Sequence, residues 1–171
     1  MIQEKIVVSD TNIFLDLISV NLLERFFLLP CDFCTTDFVI SEIERPEQSK
    51  EINKFVKAKK LVVVSFDFEE LSEINEKFAN NTNNASLTDC SVWHYAKKCG
   101  GRLLTGDGKL RKAAEKDNVK VSGILYVFDK LVEYGIVDKL SAADFLECLT
   151  QINMRLPKNE CEKRILQWRK K

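Results

Sequence analysis

Two hydrophobic patterns alternate along this sequence. Short apolar runs rich in β-branched residues, typical of buried strands, are separated by longer stretches in which apolar residues recur every three or four positions, typical of amphipathic helices. The first run begins at Lys5 and stops at Asp10, and the run from Leu61 to Val64 is nearly continuous. We predict five strands, near residues 5–10, 32–35, 61–64, 102–105 and 119–121.

Helical stretches follow each of these strands. Thr36 and Ser86 are suited to cap the helices that follow them, Pro46 is expected to end the helix that Thr36 begins, and Ser141 is expected to cap a later one. The predicted helices lie near residues 13–18, 21–27, 36–43, 50–60, 68–78, 86–99, 109–116, 124–134, 141–149 and 157–168. Strands that alternate with helices in this way favour an α/β fold with a central parallel sheet between helical layers.

Carboxylates recur near the ends of the predicted strands. Asp10 ends the first strand, Asp107 follows the fourth, Glu42 lies in the helix after the second, and Asp89 begins the helix that leads into the fourth. Because ligands of open α/β sheets bind outside the carboxyl ends of the strands, we expect these acids to converge there. Four acids without basic partners would repel one another, so the cluster indicates a site for hard divalent cations, which prefer oxygen ligands.

Each acid also has a purely structural alternative. Asp10 could cap the first helix, Glu42 could be a solvated helix residue, and Asp107 could belong to a simple turn. Asp89 fits a capping box with Ser86, a role that does not exclude participation in a site. These alternatives remain open at this point.

The composition limits the possible classes of function but does not identify one. The 171 residues are 45% hydrophobic and 30% charged, as in a globular chain, and 26 basic residues balance 26 acidic ones, so nucleic acid would have to bind at local basic patches. No apolar run approaches the roughly 18 residues of a membrane span, and the first residues do not resemble a signal peptide, so we expect a cytoplasmic protein without a membrane partner. The six cysteines favour free thiols over zinc, because Cys31 and Cys34 form one close pair without a second.

Four short motifs surround the four acids. They read Val8-Ser9-Asp10-Thr11-Asn12, Val39-Ile40-Ser41-Glu42-Ile43, Leu87-Thr88-Asp89-Cys90-Ser91 and Leu104-Thr105-Gly106-Asp107. Together and in this order they resemble the motifs of the PIN-domain family, a nuclease fold that includes the toxin half of VapC-like toxin–antitoxin pairs. The resemblance covers residues 5–125, and the remainder is similar to a subgroup of small prokaryotic PIN proteins that carry a C-terminal helical extension.

The resemblance implies a three-layer α/β/α PIN-like domain over residues 1–138, with about five strands, and C-terminal helices over 139–171 packed on the same domain. It implies one or two Mg²⁺ or Mn²⁺ ions as cofactors. The catalytic residues, which would also bind the metal, are Asp10, Glu42, Asp89 and Asp107. Asn12 and Thr105 match positions that support the site through hydrogen bonds.

The activity that the resemblance implies is metal-dependent hydrolysis of RNA phosphodiester bonds, by a homodimeric toxin that a small antitoxin protein restrains. Lys109, Arg111 and Lys112 are candidates for phosphate contacts because they lie beside Asp107. His94, five residues after Asp89, points away from it on a helix and is expected to be a structural or surface residue. Two alternatives remain: a PIN nuclease that acts in RNA processing or on DNA without an antitoxin, and a catalytically silent scaffold that binds RNA or protein.

Overall fold

The computed structural model describes residues 4–8 and 11–170. Within these residues five strands occur, at Glu4–Val8 (β1), Cys31–Thr36 (β2), Leu61–Val64 (β3), Arg102–Leu104 (β4) and Lys120–Ser122 (β5). Ten helices occur, at Thr11–Ser19 (α1), Leu23–Phe26 (α2), Asp37–Ser41 (α3), Pro46–Lys57 (α4), Phe68–Asn80 (α5), Leu87–Cys99 (α6), Gly108–Lys116 (α7), Ile124–Glu133 (α8), Lys139–Ile152 (α9) and Lys158–Arg169 (α10).

The five strands form one parallel sheet in the order β3-β2-β1-β4-β5. Residue Val8 of β1 lies opposite Leu104 of β4, and Thr36 of β2 lies opposite Val64 of β3. Helices connect the successive strands, as parallel pairing requires. The predicted α/β class, with a parallel sheet of five strands and a three-layer α/β/α arrangement, is confirmed.

The described residues divide into two compact units. The first comprises the described parts of 1–13 and 30–123 and contains the whole sheet; the second comprises those of 14–29 and 124–171. The predicted division of the chain at residue 138 stays a prediction.

Helix α6 holds the centre of the first unit together. It contacts β1, β2 and β4, the three central strands of the sheet. Its inward side buries Val92, Trp93 and Ala96, and Cys90 in its first turn packs with Ile74 of α5 and with Ala85. Gly100 ends the helix at φ +64°, a left-handed conformation that glycine adopts without a Cβ clash.

The second unit is an assembly of helices with its own core and ion pairs. Phe128 of α8 stacks on Trp168 of α10 with 6.5 Å between ring centroids. Arg164 of α10 donates two hydrogen bonds to Asp129 of α8, at 2.9 and 2.8 Å. Arg169 makes a similar set of bonds to acids of α9. The guanidinium groups of the C-terminal helix are therefore engaged in ion pairs with neighbouring helices of its own unit.

Several helix boundaries differ from the predicted ranges, and for the starts of α4 and α9 the local cause is clear. Pro46 begins α4 instead of ending the preceding helix, which already stops at Ser41. Proline suits a first helical position because its fixed φ is helical and the amide proton it lacks would have no partner there. Asp138, and not Ser141, caps α9, because its carboxylate accepts hydrogen bonds from both the backbone N–H and the hydroxyl of Ser141.

All six cysteines are free thiols. Cys34, Cys90 and Cys161 are buried, and burial raises the pKa of Cys34 to about 12 and that of Cys90 to about 11. None of the described helices is both long and apolar enough to cross a membrane.

Candidate functional site

The candidate site is built on the carboxyl ends of neighbouring strands of the first unit. β1 lies between β2 and β4 in the sheet. The hydroxyl of Thr35, near the end of β2, donates a 2.7 Å hydrogen bond to the carbonyl of Val8, the last residue of β1. Since Thr35 is fully buried, this bond ties the ends of β1 and β2 together at the place from which the chain continues to Ser9 and Asp10.

Asp10, the first predicted ligand, lies outside the described residues. It follows Val8 by two positions in the sequence. Asn12, a predicted supporting residue, is exposed in the first turn of α1.

Glu42 lies at the end of the short helix after β2. Thr36, the last residue of β2, caps α3 with its hydroxyl, and Glu42 is the residue at the opposite cap, where its backbone N–H bonds to carbonyls of the last turn. The side chain of Glu42 is exposed and forms no ion pair with any described residue. Because it is not fixed by a partner, this carboxylate is available to a ligand.

Asp89 lies in the first turn of α6 and forms the predicted capping box with Ser86. Its Oδ2 accepts a 2.8 Å hydrogen bond from the Ser86 N–H, and its own N–H donates to the Ser86 hydroxyl at 3.0 Å. The other carboxylate oxygen, Oδ1, has no hydrogen-bond partner in the part of the chain that the structure describes. The capping role is confirmed, and it leaves one oxygen of Asp89 open.

Asp107 is itself the N-cap residue of the next helix, α7. Its Oδ1 accepts hydrogen bonds from the N–H groups of Lys109 and Leu110, at 2.7 and 2.8 Å, in the first turn of α7. Its N–H donates at 3.0 Å to the hydroxyl of Thr105, which is 1% exposed. Its Oδ2 has no partner among the described residues. Asp107 is therefore held at the end of β4 with one oxygen free.

A buried contact places the start of α6 near the end of β2. The hydroxyls of Thr36 and Ser91 lie 3.0 Å apart, and both side chains are fully buried. Thr36 ends β2 and caps α3, whereas Ser91 lies in α6 two residues after Asp89. The segments that carry Glu42 and Asp89 therefore meet at the carboxyl edge of the sheet.

The described acids do not by themselves complete a ligand set. No group of three or more histidine, cysteine, aspartate or glutamate side chains suited to holding a metal occurs among residues 4–8 and 11–170, a set that excludes Asp10. The chemistry of the donors nevertheless fits a hard divalent cation, because Glu42, Asp89 and Asp107 offer carboxylate oxygens without a cationic partner in the described chain. The convergence of four acids remains a prediction.

The three basic residues predicted to contact phosphate differ in their surroundings. Lys109 and Lys112 are exposed and form no ion pair with the described residues. Arg111 is half-buried, donates to the carbonyl of Val121 at 3.4 Å and lies 3.7 Å from Glu115. The two lysines are free to bind an anion, whereas Arg111 already has partners.

A polar cleft between α5 and α6 was not predicted from the sequence. It has a volume of about 650 Å³, and His94 lies in it between Glu70 and Glu73, 3.8 and 3.6 Å away. The Nε2 atom of His94 is buried without a hydrogen-bond partner in the described chain. Glu70 and Glu73 lie three residues apart on α5, and His94 lies opposite them on α6. This pattern of two acids and a histidine is the signal from which the cleft could have been predicted.

The comparisons with known proteins agree with this architecture. A family model described as a PIN domain matches residues 6–170. The chain belongs to the PIN-domain family. PIN domains are in general nucleases and typically use divalent metals, so the carboxylates of this PIN domain lie on a nuclease fold. No curated protein matches the chain.

Proposed function

We propose that this PIN domain is a Mg²⁺- or Mn²⁺-dependent endoribonuclease. The observation that supports the proposal most directly is the hydrogen bonding of the Asp89 and Asp107 carboxylates. Each carboxylate has one oxygen fixed by backbone N–H groups, and its other oxygen faces no partner among the described residues. A side chain that is oriented by one oxygen and open at the other is suited to bind a cation without losing much conformational freedom on binding.

In this proposal Asp10, Glu42, Asp89 and Asp107 hold one or two divalent ions. A cation bound there supplies Lewis-acid chemistry, since it activates water and neutralises charge on the phosphate. The helix caps keep Asp89 and Asp107 in place, and Thr105 orients Asp107 through its backbone N–H. Asn12 is proposed to support the site from the first turn of α1.

The proposed site is acidic and would repel the phosphates of RNA, so basic side chains must flank the site. Lys109 and Lys112 follow Asp107 on α7 and are exposed without ion pairs in the described chain. They are the proposed phosphate contacts, and Arg111 has a lesser part because Val121 and Glu115 already engage its guanidinium.

The proposed biological role rests on the resemblance of the sequence motifs to those of VapC-like proteins. We infer a cytoplasmic toxin that acts as a homodimer and is inhibited by a small antitoxin protein. An RNA-processing or DNA-cleaving nuclease without an antitoxin is the closest rival. Inspection of the adjacent reading frames and growth on induced expression separates them: a toxin needs a small partner gene and slows growth, and the absence of both would contradict the toxin role.

The enzymatic proposal is tested by cleavage of labelled RNA and DNA with Mn²⁺, with and without chelator. Asp107→Asn is the informative variant, because asparagine also caps helices but supplies a weaker metal ligand. Asp138→Asn is its matched control, since Asp138 caps α9 in the other unit. We expect chelator and Asp107→Asn to abolish cleavage and Asp138→Asn to retain it. Cleavage that survives chelator would contradict the metal requirement, and cleavage of DNA alone would favour the rival nuclease.

A further inference from the structure

Two buried hydroxyl groups connect the helices that carry Glu42 and Asp89. Thr36 Oγ1 and Ser91 Oγ are 3.0 Å apart and 55 residues apart in the sequence. Both residues are 0% exposed. A buried hydroxyl is costly unless it is hydrogen-bonded, so the two groups depend on each other and on their neighbours.

The neighbours determine which hydroxyl donates. Ser91 Oγ lies 2.7 Å from the carbonyl of Thr88, to which it can only donate, and a hydroxyl has one proton. Thr36 must therefore donate its own proton to Ser91, while its oxygen accepts from the N–H of Val39 at 3.4 Å. The result is a directed chain of three hydrogen bonds, from Val39 N–H through the Thr36 and Ser91 hydroxyls to the Thr88 carbonyl.

This chain spans the first turns of two helices. Its first bond caps α3, whose other end is Glu42, and its last bond ends at Thr88, the residue before Asp89. Serine has a lower helix propensity than alanine and is less favourable than alanine in an apolar interior. A hydrogen bond from its hydroxyl back to the preceding turn brings no gain in helix stability. A fully buried serine at position 91 is thus better explained by its bond to Thr36 than by local structure.

We propose that Thr36 and Ser91 are positioning residues that fix the separation of Glu42 and Asp89 in the metal site. The inference rests on the proposed function, and it adds two residues that the sequence motifs do not identify as functional. Neither hydroxyl would touch the cation, because both are committed to the hydrogen-bond chain. Their effect passes through the orientation of the two carboxylate-bearing segments.

The experiment measures Mn²⁺ affinity by calorimetry and the free energy of unfolding by denaturant titration, on Ser91→Ala, Thr36→Val and Thr36→Ser. Thr36→Ser keeps the hydroxyl and serves as the rescue. Ile52→Val removes one buried methyl group of α4, away from the chain of bonds, and is the control for reduced stability alone. Ser91→Ala leaves the cap of α3 in place and decides the question if Thr36→Val does not fold.

We expect Ser91→Ala and Thr36→Val to bind Mn²⁺ about 10- to 100-fold more weakly, the range typical of residues that orient metal ligands. Thr36→Ser and Ile52→Val should bind as the parent does. Equal affinity in Ser91→Ala and Ile52→Val, with both destabilised, would show a merely structural pair and overturn the inference. A parent protein that binds no Mn²⁺ would instead defeat the proposed function and, with it, the positioning role.

Discussion

The backbone N–H of Asp107 donates a hydrogen bond of 3.0 Å to the buried hydroxyl of Thr105. The backbone of Thr105 in turn donates to the carbonyl of Ser122 at 2.9 Å, which extends the pairing of β4 with β5 by one step. The turn that carries Asp107 is thereby fixed to the sheet on one side and to α7 on the other. Gly123 lies close to both Thr105 and Arg111. A Cβ at position 123 would be 3.3 Å from the Arg111 guanidinium and 3.4 Å from the Thr105 carbonyl.

Replacement of Thr105 by valine tests this attachment. Thr105→Val keeps the shape of the side chain but removes the acceptor for Asp107, so we expect a loss of about 1 kcal/mol in unfolding free energy and weaker Mn²⁺ binding. Thr105→Ser, which keeps the oxygen, should resemble the parent in both. Denaturant titration and calorimetry measure the two effects. If valine and serine variants behave alike, the hydroxyl does not orient Asp107.

The proposed phosphate contacts predict a specific dependence on salt. Lys109→Ala and Lys112→Ala should each weaken RNA binding and reduce the slope of log affinity against log salt concentration by about 1, because each lysine displaces about one counterion. Binding is measured by fluorescence anisotropy over a series of salt concentrations, on Asp107→Asn protein, in which we expect no cleavage of the RNA.

Lys158→Ala is the matched control for these two variants. Lys158 is also exposed and without an ion pair among the described residues, but it lies in α10 of the other unit. Its removal should leave the salt slope unchanged. An equal effect of all three substitutions would indicate nonspecific attraction and would count against a contact surface beside Asp107.

The C-terminal helix is expected to act in stability and not in RNA binding. Arg164 forms a two-point bond with Asp129, and lysine cannot reproduce this geometry. Since the pair is partly exposed, Arg164→Lys should lower the unfolding free energy by no more than about 1 kcal/mol and leave RNA affinity unaltered. Thermal unfolding and the anisotropy titration check the two statements. A fall in affinity larger than that of Lys109→Ala would contradict this assignment.

The buried thiols predict how stability changes at alkaline pH. Burial raises the pKa of Cys34 to about 12 and that of Cys90 to about 11, from an ordinary value of 9.0. Above pH 9 the unfolded chain loses these protons first, so the folded state binds more protons and its stability falls as pH rises toward about 11. Denaturant titrations across this range should therefore show a steeper decline for the parent than for a Cys34→Ala, Cys90→Ala double variant.

Parallel slopes for these two proteins would show that other groups cause the loss of stability at alkaline pH.

The burial of the thiols also predicts the order in which the cysteines react with an alkylating reagent. Cys148 is exposed and should react first with an alkylating reagent, whereas Cys34 and Cys90 should react only on unfolding. Mass spectrometry of the partly labelled protein measures this order.

The sequence was sufficient for features that depend on neighbouring residues. The β-branched run Leu61–Val64 is β3, and the Ser86–Asp89 spacing forms the capping box that it predicted. The Thr36–Ser91 bond could not be predicted, because it joins residues 55 positions apart and depends on how α6 lies against β2. Similarly, the engagement of Arg111 with Val121 depends on how α7 meets β5. Local patterns determine caps and strands, whereas pairing between distant side chains requires the packed fold.

The proposed metal site is best tested by a calorimetric titration with Mn²⁺ of the parent, Asp10→Asn, Asp107→Asn and Asp138→Asn proteins. We expect the parent and Asp138→Asn to bind Mn²⁺ with equal affinity, and Asp10→Asn and Asp107→Asn to bind it far more weakly while remaining folded. Binding by either of these last two variants that equals that of the parent would contradict a metal site formed by these acids.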